Sequence, residues 1–388
     1  MKIYKLKDIS EFIRNGVTIK QDISSKEGIP ITRIETISKG TIDFNKLGYA
    51  NISKIEKYKE WLLKKGDILI SHINSEKHLG KSAIYLDNNY DIIHGMNLLC
   101  IRVIDKKVFP EYLQLFFKTN QYKKQIKKIT KKSVNQASFS VNDFKEILIT
   151  VPDLNIQEKI IKKIKVLEKI LENNKLKLAY LSELTKSLFT RMFGDIKSND
   201  KNWKIYKFSE KLKISSGGTP SKANKIYWEN GTISWIGSNM CNDEIITKND
   251  GKFITEEGLK NSSAKIYKMN TVIVALVGAT IGKTGLLKFE TSTNQNIAAL
   301  EIKNMDYSPE FLFFLLQNLY YKFTELGGDT FKMANLSFIK NLPLISPPIE
   351  LQNKFTERVE KIEKLKFTIW KIILKFSKIL EKKGVESN

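Results

Sequence analysis

The sequence predicts an α+β protein. Two duplicated α/β domains are separated by two long helices, which form an antiparallel coiled coil with pseudo-twofold symmetry. Three observations carry this expectation. A stretch near the middle of the chain repeats apolar residues every seven positions without a helix breaker. The framework residues that precede it recur in the same order about 200 residues later. The second copy also ends in a heptad stretch. The expected boundaries are 1–151 and 196–346 for the domains, and 152–195 and 347–388 for the helical regions.

The central stretch opens on Pro152 and carries no further Pro or Gly until Gly194. One seam series is Ile160, Leu167, Asn174, Leu181 and Leu188; the other is Ile164, Leu171, Leu178, Thr185 and Met192. This is an a/d heptad pattern, and a helix of roughly 38 residues would span ~57 Å, too long for the core of one compact domain. The second helix carries Phe355, Ile362, Ile369 and Phe376 in one series and Val359, Lys366, Ile373 and Leu380 in the other. Two such helices most simply pack on each other; the alternative is two separate amphipathic helices, each lying on its own domain. Antiparallel packing would place one domain at each end of a rod. Asn174 and Lys366 interrupt the seams, and a polar seam residue commonly fixes register at some cost in stability.

Copy one starts at Tyr4–Ile9. Gly28–Ile31 reads as a strand leaving a turn, Lys65–Ser71 as a turn feeding a buried strand, and Gly80–Tyr85 as its return. His94–Val103 reads as another strand. Pro110 opens a helix running to about Lys128. The polar stretch from Lys131 to Ser140 reads as loop, and Ile147–Pro152 closes the domain. In copy two, Ile205–Phe208 matches Ile3–Leu6, Gly231–Ile236 takes the place of the Gly28 segment, and Lys268–Ala275 matches Lys64–Ser71. Gly282-Lys283-Thr284 matches Gly80-Lys81-Ser82, and Asn296 falls where Asn97 does. Pro309–Leu312 matches Pro110–Leu113, Ala334–Ser337 matches Ala137–Ser140, and Pro347–Gln352 matches Pro152–Gln157. Eight matches in one order make an internal duplication.

Sixty-five Lys and Arg face forty-two Asp and Glu, giving a formal charge of +23. Such an excess points to a polyanionic partner, most often nucleic acid. AT-rich genomic bias inflates Lys but does not require so few acidic residues. Cys100 and Cys241 are far apart and make no disulfide framework, which fits a reducing cytoplasm. The charged N-terminal stretch has no signal-peptide pattern, and no run of apolar residues is long enough to span a membrane.

Catalytic and cofactor motifs fail on spacing. Gly278–Thr284 is one residue short of a phosphate-binding loop and runs into a strand pattern. Ser346-Pro347-Pro348-Ile349 resembles an amino-methyltransferase motif but lacks its stacking aromatic. Glu301-Ile302-Lys303 has a nuclease-like spacing without an upstream Pro-Asp. His72, His78 and His94 have no Cys or carboxylate cluster around them, so no metal is expected. No nucleophile elbow is present. The expectation is a non-catalytic chain without a cofactor.

A duplicated basic domain, each copy followed by a heptad helix opening Pro-x-x-x-x-Gln, resembles the specificity subunit of type I restriction-modification systems. The residues that carry the resemblance are Val151–Ile160, Pro347–Phe355, Ser187–Asp195, Lys65–Leu69 and Ser216–Ser221. Copy two departs from it, with Met269-Asn270-Thr271 in place of Lys-Gly-Asp. The resemblance implies that each domain is a target-recognition domain reading one half of a split double-stranded DNA sequence. It implies that the helices act as a ruler and dock two DNA methyltransferase subunits, with restriction/translocase subunits joining that core, and that no membrane is involved. Alternatives are the recognition portion of a fused type II restriction-methyltransferase, which needs methyltransferase motifs ahead of Met1, and a non-catalytic coiled-coil nucleic-acid-binding scaffold.

On that reading, Lys and Arg neutralise phosphates while Arg, Lys, Asn and Gln read base edges. The candidate DNA-binding residues in copy one are Arg33, His72, Asn74, Lys77, Lys81, Asn135 and Gln136. In copy two they are Ser216, Thr219, Lys222, Asn239, Lys283, Gln295, Lys332 and Asn335. Asn97 and Asn296 coincide in both copies and read as scaffold.

Overall fold

The structure, a computed structural model, describes residues 1–20, 27–87, 90–133, 136–326 and 333–382. The chain divides into two compact units, residues 1–176 with 370–388 and residues 177–369. Each long helix contributes one part to each unit.

In the first unit, a four-stranded antiparallel sheet has the order Ser10–Asn15, Leu98–Val103, Ile68–Ser71, Ser82–Ile84. Ile68–Ser71 is buried along its whole length, because both sheet faces are covered. Ile68 and Ile70 point into a cluster with Leu113, Phe117, Tyr122 and Phe144. Leu69 points the other way, to Ala83, Tyr85 and Leu98. This alternation is what a period of two demands of a strand covered on both faces. Lys2–Lys5 pairs with Leu148–Val151 and closes the domain where the long helix begins.

Several local expectations change. The helix from Pro110 is two helices, Pro110–Phe117 and Asn120–Ile129. Thr119 restarts it as an N-cap whose hydroxyl accepts from the Tyr122 N–H at 3.2 Å. Gly28–Ile31 forms no strand; Ile31 makes isolated bridges to Gly48 and Ile93. The stretch after Lys131 is not all loop, since Lys131–Lys132 pairs with Ala137–Ser138, which pairs with Ile73–Asn74.

The second unit repeats the sheet order with Leu212–Ser216, Ile297–Ile302, Val272–Ala275 and Thr284–Leu287, and adds Glu244–Ile246 as a parallel edge strand. A further sheet of Phe253–Ile254, Ile233–Ile236, Thr291–Thr293 and Ile266–Tyr267 belongs to this copy. The turn before the central strand is shared despite its sequence change. Gly66 has φ 95° and Asn270 φ 71°, and their N–H groups donate to Tyr85 O at 2.8 Å and Leu287 O at 2.7 Å. Asparagine tolerates this left-handed corner, so Met269-Asn270-Thr271 keeps the backbone of Lys65-Gly66-Asp67. What copy two loses is the carboxylate: Asp67 is buried and accepts two 2.7 Å bonds from Arg102.

The predicted pairing of Ala334–Ser337 with Ala137–Ser140 is off by two. The Phe139 N–H donates to His72 O and the Ala334 N–H to Leu276 O, each just beyond the central strand. Ser140 and Asn335 are then both N-caps of short helices, Val141–Lys145 and Leu336–Lys340.

The long helices run Leu154–Phe193, 40 residues, and Ile349–Lys382, 34 residues. In the first unit Ile160, Ile164, Leu167 and Leu171 pack with Ile373, Phe376 and Leu380. In the second unit Leu188 and Met192 lie beside Phe355 and Val359. Within each unit the start of one helix meets the end of the other, which is antiparallel pairing. Between these contacts Asn174, Thr185 and Ile362 are buried, and Leu178, Leu181, Lys366 and Ile369 are half-buried. Burial also leaves the heptad frame, at Ile161 near the start of the first helix and at Phe189 and Phe193 at its end, where the two phenylalanines pack against Phe311 and Phe355.

Each helix is tied to its domain by one buried glutamine. Gln157 Oε1 accepts from the Phe109 N–H at 2.9 Å, and its Nε2 donates to Lys107 O at 3.1 Å and Pro152 O at 2.8 Å. Gln352 Oε1 accepts from the Ser308 N–H at 2.9 Å, and its Nε2 donates to Asp306 O at 3.0 Å and Pro347 O at 2.9 Å. Both side chains are fully buried. Phe109 and Ser308 are the N-cap residues of the helices that begin Pro110 and Pro309. The glutamine of Pro-x-x-x-x-Gln thus satisfies a helix-start N–H and two carbonyls that packing would otherwise strand.

Candidate nucleic-acid interface

The two Gly-Lys corners occupy the same place in their sheets. Gly80 N–H donates to Ser71 O at 2.7 Å, and Gly282 N–H to Ala275 O at 2.9 Å. Both glycines have φ 75°. A Cβ at Gly80 would meet Ile126 at 3.2 Å, and one at Gly282 would meet Phe323 at 2.7 Å. Glycine is required there by both backbone angle and close approach. The lysines that follow differ in their surroundings. Lys81 donates to Ser38 O at 3.2 Å and has no carboxylate partner among the described residues. Lys283 Nζ lies 2.5 Å from Asp243 Oδ2 and sits over the Tyr320 ring. The charge of Lys283, a candidate DNA-binding residue, is thus spent on Asp243.

Around Lys81 the first domain forms a cleft of about 520 Å³. Lys39, Lys77, Lys118, Lys123, Lys127 and Lys132 also line it, with Glu76 as the one carboxylate of its lining. Tyr122 and Ile126 form its floor, the Tyr122 hydroxyl donating to Gly80 O at 3.0 Å. The lysines come from the Gly-Lys corner and the short Glu76–His78 helix before it, the 38–40 turn, the end of helix Pro110–Phe117, helix Asn120–Ile129 and strand Lys131–Lys132. That helix buries Tyr122 and Ile126 and turns Lys123, Lys124, Lys127 and Lys128 outward. Burial, then Lys81 and Lys77, push the His78 pKa down, and Lys132 followed by Lys127 holds the Glu76 carboxyl below its usual range. Of the cleft lysines, only Lys77 and Lys81 belong to the residues singled out from sequence. The missed signal was the i, i+4 spacing of Lys123 and Lys127 on one helix face.

The other copy-one candidates are scattered. Arg33 lies 3.5 Å from Glu35. Asn74 bridges Ser71 and the Ser75 N–H, and Gln136 and Asn97 are exposed. His72 is corrected: it is 4% exposed, packed against Phe139, and burial lowers its pKa to about 4. A polar residue following a buried strand here turns inward. Asn135 and Lys332 lie outside the described residues.

In the second domain, two candidates meet: the Thr219 hydroxyl donates to Gln295 Oε1 at 2.6 Å. Ser216 ends strand Leu212–Ser216 immediately before Gly217-Gly218, which lead to Thr219. Lys222 is exposed on the same loop. Asn239 is 3.5 Å from Asp250, which is paired at 2.5 Å with Lys252. Asn335 is corrected in part, because its Oδ1 accepts the Phe338 N–H at 2.8 Å as a helix cap. Asn296 is half-buried beside the start of strand Ile297–Ile302.

No group of three or more His, Cys, Asp or Glu side chains among the described residues could hold a metal ion. No described helix is long and apolar enough to cross a membrane.

The profile of the type I restriction modification DNA specificity domain matches the chain twice, at residues 1–180 and 200–375. The chain is 30% identical over 385 residues to a Methanocaldococcus jannaschii protein named as the type I restriction enzyme MjaX specificity subunit, covering 94% of this chain and 87% of that one. Its fold is similar to the S subunit of a type I restriction-modification system from M. genitalium, with a TM-score of 0.60 at 14% identity, covering 100% of this chain and 96% of that one. It is also similar to a chain from a study of complex assembly and conformational transition in the type I R-M system, with a TM-score of 0.63 at 15% identity, covering 100% and 97%. The duplicated framework, the paired heptad helices and these matches together place the chain in the type I restriction-modification specificity subunit family.

Proposed function

We propose that this chain is the DNA sequence-specificity subunit of a type I restriction-modification complex, with each globular domain reading one half of a bipartite target. The observation that carries the reading is one framework built twice around different polar surfaces. The sheet order, the left-handed corners and the buried glutamines recur, while the side chains around Lys81 and Lys283 do not. A shared scaffold presenting two unlike surfaces suits a reader of two unlike half-sites. The chain itself supplies no catalytic group; methyl transfer and cleavage belong to two methyltransferase subunits and to restriction/translocase subunits that join it.

The candidate readers are Arg33, Asn74 and Gln136 in the first domain and Ser216, Thr219, Lys222, Asn239 and Gln295 in the second. Gln295 has the strongest chemical case. Thr219 holds one end of its amide, and a pre-oriented glutamine can pair with both edge groups of adenine in the major groove. Lys77 and Lys81 contact phosphate. The paired helices set the distance between half-sites and carry the methyltransferases. An apolar groove of about 450 Å³, lined by Tyr180, Leu181, Leu184, Leu365 and Ile369, supports protein docking on their surface. A double-stranded DNA target, with both cysteines buried and free, fits the cytoplasm.

Co-expression with the cognate methyltransferase, followed by mapping of modified adenines, tests the reading. A split motif with a fixed spacer is expected. A continuous palindrome, or no modification, would overturn it.

A further inference from the structure

The two Gly-Lys corners are equivalent in backbone but unlike in charge, the first lysine uncompensated and the second neutralised. Lys81 opens onto a cleft where Lys77 and Lys127 also have no carboxylate within ion-pair distance among the described residues. Lys283 is held by Asp243, which also accepts from the Thr284 N–H at 3.0 Å and the Thr284 hydroxyl at 3.1 Å. Asp243 is therefore anchored beside Lys283 by the Thr284 N–H and hydroxyl. The helices beside the two corners differ in the same sense. Asn120–Ile129 carries four lysines on its outer face, against the single Lys322 of Tyr320–Thr324. The sequence agrees: residues 1–151 hold 27 Lys and Arg against 16 Asp and Glu, and residues 196–346 hold 19 against 14.

We propose that the two recognition domains grip DNA unequally: the lysine-lined cleft of the first domain is a backbone-phosphate clamp, and the matching place in the second domain is closed to phosphate by Asp243. This rests on the DNA-reading function above and assigns it a division of labour. The first domain supplies the larger share of salt-dependent, sequence-independent affinity and engages DNA first. The second domain then contributes mainly base contacts. The chemistry follows from counterion release: each phosphate neutralised adds about 0.9 to the slope of log affinity against log salt on duplex DNA.

The test uses the full chain in complex with its methyltransferase subunits. DNA binding is measured from low to moderate salt on target and on unrelated duplexes. The variants are the triple Lys77→Gln/Lys81→Gln/Lys127→Gln and the single Lys283→Gln. The expected result is a salt slope about 2–3 shallower for the triple variant, equal on target and unrelated DNA, with the methylated sequence unchanged. Lys283→Gln should shift the slope by less than about 0.5, because its charge is already neutralised. An unchanged slope in the triple variant overturns the clamp, as does a slope change from Lys283→Gln equal to one full phosphate. If the triple variant instead loses methyltransferase binding at unchanged slope, the cleft holds protein and the clamp is wrong. A wild-type complex that does not distinguish target from unrelated DNA would be the failure of the DNA-reading function itself.

Discussion

Gln157→Leu should cost the first unit about 3 kcal/mol. The side chain keeps nearly its volume but loses three hydrogen bonds, to Phe109 N–H, Lys107 O and Pro152 O. Each backbone group left unpaired in a buried setting costs about 1–3 kcal/mol. Three such groups would sum higher, but partial access of water to the half-buried Phe109 N–H offsets part of it, and the leucine recovers about 1 kcal/mol of apolar burial. Native-state hydrogen exchange at the Phe109 amide is the direct assay. Exchange there should quicken on the order of 100-fold, because that N–H loses its acceptor and its helix start loosens. Gln352→Leu should do the same at the Ser308 amide, with a cost within ~1 kcal/mol of the first, since the two networks match bond for bond. A loss below about 0.5 kcal/mol with unchanged exchange at Phe109 would refute the view that the glutamine joins helix to domain.

Asn174 spends its amide on Ile170 O in its own helix, so Asn174→Leu should stabilise the helix pair by about 1 kcal/mol in denaturant titrations. If it also fixes register, the methylated motif should show mixed spacers; a single unchanged spacer removes that role. Gly282→Ala should destabilise by about 2 kcal/mol and Gly80→Ala by about 1 kcal/mol in thermal melts, both from positive φ, the former more because Phe323 is closer; equal melting temperatures to wild type would refute the steric argument. His72 and His94 are buried and neutral, each with its pKa pushed down to about 4 by burial. The unfolded chain binds these protons first, so stability is complete above about pH 6.5 and falls as pH drops from there toward 4, by roughly 2–3 kcal/mol for each imidazole. Urea titrations across that window check the sign; a flat profile would contradict it.

The duplication and the heptads were legible because both are periodic, and a period survives low identity. Seam residues from Ile160 to Met192 were readable from spacing alone. Phe189 and Phe193 were not, because they leave the heptad frame to pack against Phe311 and Phe355. The Gln of Pro-x-x-x-x-Gln was visible as a motif, but its purpose depends on carbonyls 46 and 50 residues away. Asn270 looked like a loss of Gly66, yet the backbone angle it shares is a property of conformation, not of residue identity. The Ala334 pairing failed because a short Ala-polar-apolar pattern slides by two without penalty until hydrogen bonds fix it. Surface chemistry was least legible. That Lys283 is neutralised while Lys81 meets only a carbonyl turns on Asp243, 40 residues away from Lys283, and His72 turns inward although its neighbours in sequence include several polar groups.

On the proposed function, each globular domain reads its own half of the target. Exchanging residues 1–151 for those of a specificity subunit with a different target, then mapping methylated adenines in cells with the cognate methyltransferase, tests it directly. One half of the split motif should change while the other half and the spacer remain. A change in both halves, or in neither, would contradict it.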